Sequence, residues 1–362
     1  MALLLAGCSS IRLGVPLGAS EAGTPSGPLE RAWERDAQGA FGPSAAQITE
    51  AFVVVGTRRG EVVVIDRADG RVAGVGEFGE SVEGAVALSA DGVVIYVPRA
   101  ERRGGVTAYD VRNGRQQWRW DGGATSAGVV RLGDVVVAAT LDGRAVGLDA
   151  ASGEALWETR PDSTAQFHAA PVAVGPEAVL FADDRGRVTL REAATGDVRW
   201  TQSIRTPVYE RPAVDDAQVY VATTRGRLVA LDRETGQIRW TRDARAEEKP
   251  RLSAPAVADG AVAVGGTDGV VVVYDAQTAE ERWRTRFDAN VSAAPLWMGD
   301  RLMVGTFDGR IVALDAATGA EVWEDDLRGR VKSALVAADD LLIVLTEPRH
   351  VVAYRPARLA AR

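Results

Sequence analysis

Cysteine, histidine and carboxylates are the side chains from which nucleophiles and metal sites are built. This chain of 362 residues holds few of the first two: Cys8, His168 and His350. A single cysteine forms no intrachain disulfide and no cysteine-cluster metal site. Neither histidine stands at metal-ligand or nucleophile-pair spacing. Carboxylates occur as the pairs Asp183-Asp184, Asp215-Asp216, Asp325-Asp326 and Asp339-Asp340. Each pair falls at an expected hairpin end and reads as solvated turn chemistry. No Asp-x-Asp-x-Asp-Gly calcium loop and no phosphate-cradling glycine loop is present. These residues predict no catalytic centre, no metal and no cofactor, so the chain is expected not to be an enzyme.

The totals describe an ordinary globular protein. Apolar residues make up 46% and charged residues 25% of the chain, the balance of a globular protein. The net charge of −8 argues against a nucleic-acid binder, which is ordinarily basic. No run of about 20 apolar residues exists, so no transmembrane helix is expected.

The start, "MALLLAGCSS", puts the one cysteine to use. Leu5-Ala6-Gly7-Cys8 resembles a bacterial lipobox, in which cleavage precedes the cysteine and its sulfur takes a diacylglycerol. The apolar run is short and no basic segment precedes it. Residues 1–7 thus read as a signal remnant and Cys8 as the lipid attachment. Residues 9–28 are rich in Gly, Ser and Pro and read, with Cys8, as a flexible tether over 8–28.

The elements that would position any site follow from an internal repeat. Segments such as "VVVAATLDGRAVGLDAASGEALW" from Val135 and "LMVGTFDGRIVALDAATGAEVW" from Leu302 recur seven times. The repeat tryptophans Trp118, Trp157, Trp200, Trp240, Trp283 and Trp323 are 39 to 43 residues apart. In each unit a β-branched run gives one strand and a turn follows, often Asp-Gly as at Asp142-Gly143. A second strand, a turn of the "DAATG" kind and a strand carrying the tryptophan come next, and a short strand precedes them all. Four antiparallel strands at this period are the blades of a β-propeller. Gly74 takes the tryptophan slot of the first repeat, and Trp33 lies one period earlier. Residues 341–356 supply only part of a last blade, and "LERAWERDA" (29–37) supplies its missing outer strand. The expected fold is all-β: an eight-bladed propeller over 29–356, its last blade closed by N- and C-terminal strands, with a tail over 357–362. The tryptophans are expected to fill the wedges between blades, each N–H reaching a partner carbonyl.

The unit "ALDxxTGxxxW", as in "ALDRETGQIRW" (230–240), resembles the tryptophan-docking repeat of quinoprotein-type eight-bladed propellers. That superfamily includes pyrroloquinoline-quinone dehydrogenases and the BamB lipoproteins of outer-membrane barrel assembly. The dehydrogenase resemblance implies an adjacent Cys-Cys disulfide and a calcium site, and this chain has one cysteine. The BamB resemblance implies a lipid-anchored scaffold, facing the periplasm from the outer membrane, monomeric within a complex and bound to protein partners. It also implies Leu-x-Leu-Arg and Asp-x-Asp stretches in the partner-binding loops, where this chain has "STAQFHAAP" (163–171) and "TPVYERPAV" (206–214). The alternatives are a lipidated propeller for a peptide, glycan or sensor-kinase partner, and a dehydrogenase-like enzyme.

Blade bodies repeat, so specificity must lie in what differs. The loops 160–171, 205–214 and 244–255 differ most, and all join an outer strand to the next inner strand, hence emerge on one face. The candidate partner-binding residues are Phe167, His168, Tyr209, Glu210, Arg211 and Arg251, because aromatic and arginine side chains are favoured interface anchors. His168 is expected at the central channel or on a loop surface, and His350 at a packing or edge position of a strand.

Overall fold

The computed structural model describes residues 11–18, 27–43, 46–160, 165–244 and 249–357. Eight antiparallel sheets form the ring, seven of them from four consecutive strands. Blade 3 is typical, with strands Val129–Leu132, Val135–Ala139, Ala145–Asp149 and Ala155–Thr159 from the channel outward. Its β-branched second strand is buried throughout, while the outermost exposes most side chains and buries Trp157. In the eighth sheet Leu29–Asp36 pairs with His350–Pro356, from Leu29 opposite Pro356 to Asp36 opposite His350. The termini therefore share a blade, as the tryptophan spacing predicts. His350 lies at the start of that strand, its Nδ1 3.1 Å from the Glu34 carboxylate.

The tryptophans sit between blades. In the seven repeat tryptophans the indole N–H donates to a backbone carbonyl of the following blade, from Trp33 to Arg67 and on to Trp323 to Leu29, at 2.8 to 3.2 Å. The glycine four residues before a tryptophan serves the preceding seam. A Cβ at Gly153 would stand 2.5 Å from the Trp118 ring, and one at Gly236 would stand 2.5 Å from Trp200. Both glycines also have positive φ, near +75° and +72°. One residue thus satisfies a turn and a close approach together. Blade 6 breaks the rule with Ala279, held at a φ of 58°.

The paired aspartates are not merely solvated turns. Asp183 is buried and accepts the backbone N–H of Arg185 and of Arg187, each at 2.9 Å. Asp325 lies within a strand and accepts Tyr354 Oη at 2.8 Å and Arg31 Nε at 2.6 Å. Asp339 and Asp340 accept from Arg67 at 2.7 and 2.9 Å, tying blade 8 to blade 1. Asp325, Asp339 and Asp340 thus reach arginines across the two seams that flank blade 8, and this geometry is invisible in a single repeat.

Residues 11–18, inside the stretch whose composition reads as a tether, are docked. Ile11 and Leu17 are fully buried among valines of blades 1 and 2. Leu13 N–H donates to Val111 O at 2.7 Å and Leu17 N–H to Gly92 O at 2.8 Å. Ile11 fills the wedge that blade 1 leaves open by having Gly74 in place of a tryptophan: a Cβ on Gly74 would meet Ile11 Cα at 3.4 Å. Burying apolar surface outweighs the flexibility that Gly and Ser confer on the stretch. Cys8 and residues 358–362 of the tail lie outside the described residues.

Candidate functional site

Each inner strand is an edge strand of two to four residues, and it is preceded by a loop crossing from the outer rim to the channel. Proline stands just before several of them, at Pro171, Pro212, Pro255 and Pro295, where no ladder hydrogen bond is needed from its nitrogen. The side chains two residues before these strands consequently line the channel. The loops that carry them gather at one mouth with the turns between second and third strands.

Five of the six candidate residues come together there. The His168 and Tyr209 rings are 4.5 Å apart at 50°. The Arg251 guanidinium lies 5.5 Å from the Tyr209 ring centroid and donates to Glu210 Oε1 at 2.7 Å. Arg211 shares a wall of the channel with His168, Tyr209 and Glu210. His168 Nε2 is 3.2 Å from Gln166 Oε1. Phe167 departs from the expectation of an exposed anchor. It is 7% exposed and packs against Phe181, 5.7 Å between centroids, in the core between blades 3 and 4. Polar neighbours in sequence disguise an aromatic that the fold turns inward.

Across the mouth stands a second cluster that the repeat pattern conceals. Phe307 is faced by Arg330 at 5.0 Å and by Lys332 at 5.2 Å, and both cations reach Glu347 Oε2 at 3.0 Å. Phe307 and Glu347 occupy ordinary repeat turns. Lys332, one of two lysines in the chain, is the one sequence signal that marks the cluster. Between the two clusters opens a cavity of about 400 Å³, walled by Phe41, Arg58, Glu210, Arg251, Lys332 and Glu347. In a chain of net charge −8, the mouth is locally cationic.

A quinone cofactor with its calcium does not fit this mouth. Glu210 is held by Arg251, and Glu347 by Arg330 and Lys332, so neither carboxylate is free for a cation. Among the described residues no group of three His, Cys, Asp or Glu side chains is placed to hold a metal ion. The mouth presents aromatic faces, paired cations and an open cavity.

Comparison with known proteins agrees on the architecture. The crystal structure of BamB from Moraxella catarrhalis superposes with a TM-score of 0.76 at 21% identity, covering 91% of this chain and all of that one. Quinohemoprotein alcohol dehydrogenase from Comamonas testosteroni superposes at 0.77 with 13% identity, over 98% of this chain and 82% of that one. Similarity at these identities shows the fold alone. Quinohemoprotein alcohol dehydrogenase ADH IIB of Pseudomonas putida is 32% identical over 136 residues, 32% of this chain. That match spans only 19% of the enzyme's length. The sequence profile of outer membrane protein assembly factor BamB matches residues 30–242 and 244–358, so that the ring built from these repeats belongs to the BamB family.

Proposed function

We propose that this chain is a non-catalytic docking scaffold, lipid-anchored through Cys8 at the outer membrane and facing the periplasm, that serves the assembly of outer-membrane β-barrel proteins. The observation that carries the reading is the match of the assembly-factor profile to almost the whole propeller. The mouth supports it, because its carboxylates Glu210 and Glu347 are engaged by Arg251, Arg330 and Lys332 beside aromatic faces, an arrangement that suits binding. Its half-buried inner edge strands and aromatic anchors suit a partner strand or turn. The loops at 163–171 and 206–214 lack the Leu-x-Leu-Arg and Asp-x-Asp stretches that the resemblance implies. This favours contacts peculiar to this chain, and it keeps a different periplasmic partner as the second reading.

The test is crosslinking in native membranes, followed by pull-down of the intact protein and mass spectrometry. Recovery of barrel-assembly components, lost when Tyr209→Ala and Arg251→Ala are combined at unchanged thermal stability, is the expected result. Recovery of none of them refutes the assembly role. Recovery unaffected by the double change moves the working surface away from this mouth.

A further inference from the structure

Aligning the blades by strand register isolates one side chain. The position that faces the fifth residue of the second strand when the ladder register is extended, one residue before the inner strand in blade 3 and two before it elsewhere, is occupied by Ala85, Gly128, Ala170, Ala254, Ala294 and Ala334 in six blades. In blade 5 the same position is Arg211. A ring of the smallest side chains is thus interrupted by one of the largest, and that one is a cation.

Arg211 stands in the channel. It lines the space of about 40 Å³ that His168, Tyr209 and Lys332 also wall, and a neighbouring space of about 270 Å³ beside the inner strands of blades 2 and 3. Its surface is open to channel water, yet protein surrounds it. Among the described residues Arg211 has no hydrogen bond or ion pair. Glu210, its neighbour in sequence, is turned to Arg251 at 2.7 Å, and Glu347 across the mouth is held by Arg330 and Lys332. Five donors in a planar fork therefore face the channel with no acceptor from the protein.

We infer that Arg211 is the receptor for a carboxylate presented by a protein partner: an aspartate, a glutamate or a chain terminus at the tip of a strand or turn entering the mouth. Charge complementarity favours a carboxylate, since Arg58, Arg251, Arg330 and Lys332 at the approach outnumber Glu83, Glu210 and Glu347, with which they pair, and Arg211 adds a cation with no protein partner. The Tyr209 and His168 rings and the alanine wall give the residues flanking that carboxylate an apolar seat. The mouth cavity has room for a turn's tip. The inference rests on the docking role proposed above and specifies its chemistry, without requiring a particular partner.

The experiment is selection of random octapeptides displayed on phage, at low salt, against the intact protein and three variants. Wild type is expected to enrich peptides with a central or C-terminal carboxylate. Arg211→Lys should retain that preference, Arg211→Ala should lose it and Arg211→Glu should replace it with Lys and Arg. A selected peptide, resynthesised, should bind Arg211→Ala roughly 10- to 100-fold more weakly, the range for a lost charge-assisted hydrogen-bonded pair. Alanine is what most other blades carry there, so the melting temperature of Arg211→Ala should match wild type.

Three results overturn the inference: no acidic enrichment, the same peptides bound equally by Arg211→Ala, or free glutarate binding as tightly as the best peptide. The last would make the site one for a small carboxylate. If selection depends on Arg211 while the membrane pull-down recovers no barrel-assembly component, the receptor stands and the assembly role falls. If those components are recovered equally with Arg211→Ala, the assembly role stands and the receptor falls.

Discussion

The indole N–H of Trp33 donates to the carbonyl oxygen of Arg67 at 3.0 Å. A residue in the outer strand of the last blade therefore grips the first blade. The Arg67 guanidinium returns the grip through Asp339 and Asp340. Trp33→Ala should cost roughly 3–5 kcal/mol, the usual cost of emptying a buried aromatic site. Deleting residues 29–37 should lower the melting temperature of the whole ring, since it exposes the edge of blade 8. Urea unfolding followed by circular dichroism measures both, and a wild-type midpoint for the deletion would show that the seam does not hold the ring.

Ala279 holds a left-handed backbone where blades 3, 4, 5 and 7 have glycine. Ala279→Gly should stabilise the protein by about 1 kcal/mol, because an L-residue is penalised in that region. The reverse change at Gly236 should destabilise, since its new Cβ would collide with Trp200 as well. Thermal melts of the two single variants should move in opposite directions.

Burial pushes the Asp325 carboxyl up, but hydrogen bonds from Arg31 and Tyr354 outweigh it and hold the group below the ordinary carboxylate value. A group depressed in the folded state adds stability above its unfolded pKa of about 4, and that contribution disappears as pH falls through the lower folded value. Asp325→Asn should therefore destabilise at pH 7 and show a shallower loss of stability than wild type as pH falls below about 4. Parallel slopes in that window would remove Asp325 from the acid sensitivity of the ring.

Ile11→Asp should release the segment from the wedge between blades 1 and 2 while the ring stays folded. The readout is hydrogen exchange at the Leu13 and Leu17 amides, which now donate to Val111 and Gly92. Their protection should collapse while that of Val136 and Val137 persists. Unchanged protection at Leu13 would mean that Ile11 does not hold the segment in place.

Cys8→Ala should shift the protein from the membrane pellet to the soluble fraction with an unchanged circular dichroism spectrum. On the anchoring proposed above the sulfur would carry two acyl chains, enough for stable attachment, and removing it would remove both. A variant that still pellets after a high-salt wash would end the anchor reading.

Most of the architecture was legible in the sequence because it is periodic. The spacing of Trp118 to Trp323, the Gly74 exception and the early Trp33 together announce eight blades and a shared last one. What the sequence hid depends on contacts between repeats. Phe167 sits in a polar loop and still turns inward to Phe181. Phe307 and Glu347 look like ordinary turn residues until the ring brings them beside Lys332. Arg211 was visible as a candidate, but its isolation emerges only when strand register sets it against the alanines of its sister blades. The apolar residues Ile11 and Leu17 were masked by the Gly, Ser and Pro around them.

On the anchoring proposed above, the docked N-terminal segment would also give the disc a heading. It bonds to Gly92, in the turn between the first and second strands of blade 2, and to Val111 and Arg112, between the third and fourth. In an antiparallel blade those turns lie on the face opposite the loops that form the channel mouth. Ile11 itself lies against Gly74 and Gly76 of an outermost strand, at the rim. Cys8 is three residues upstream, a leash of roughly 10 Å at full extension. Acyl chains on Cys8 would keep that rim close to the lipid and leave the mouth pointing away from it, toward whatever approaches from the aqueous side.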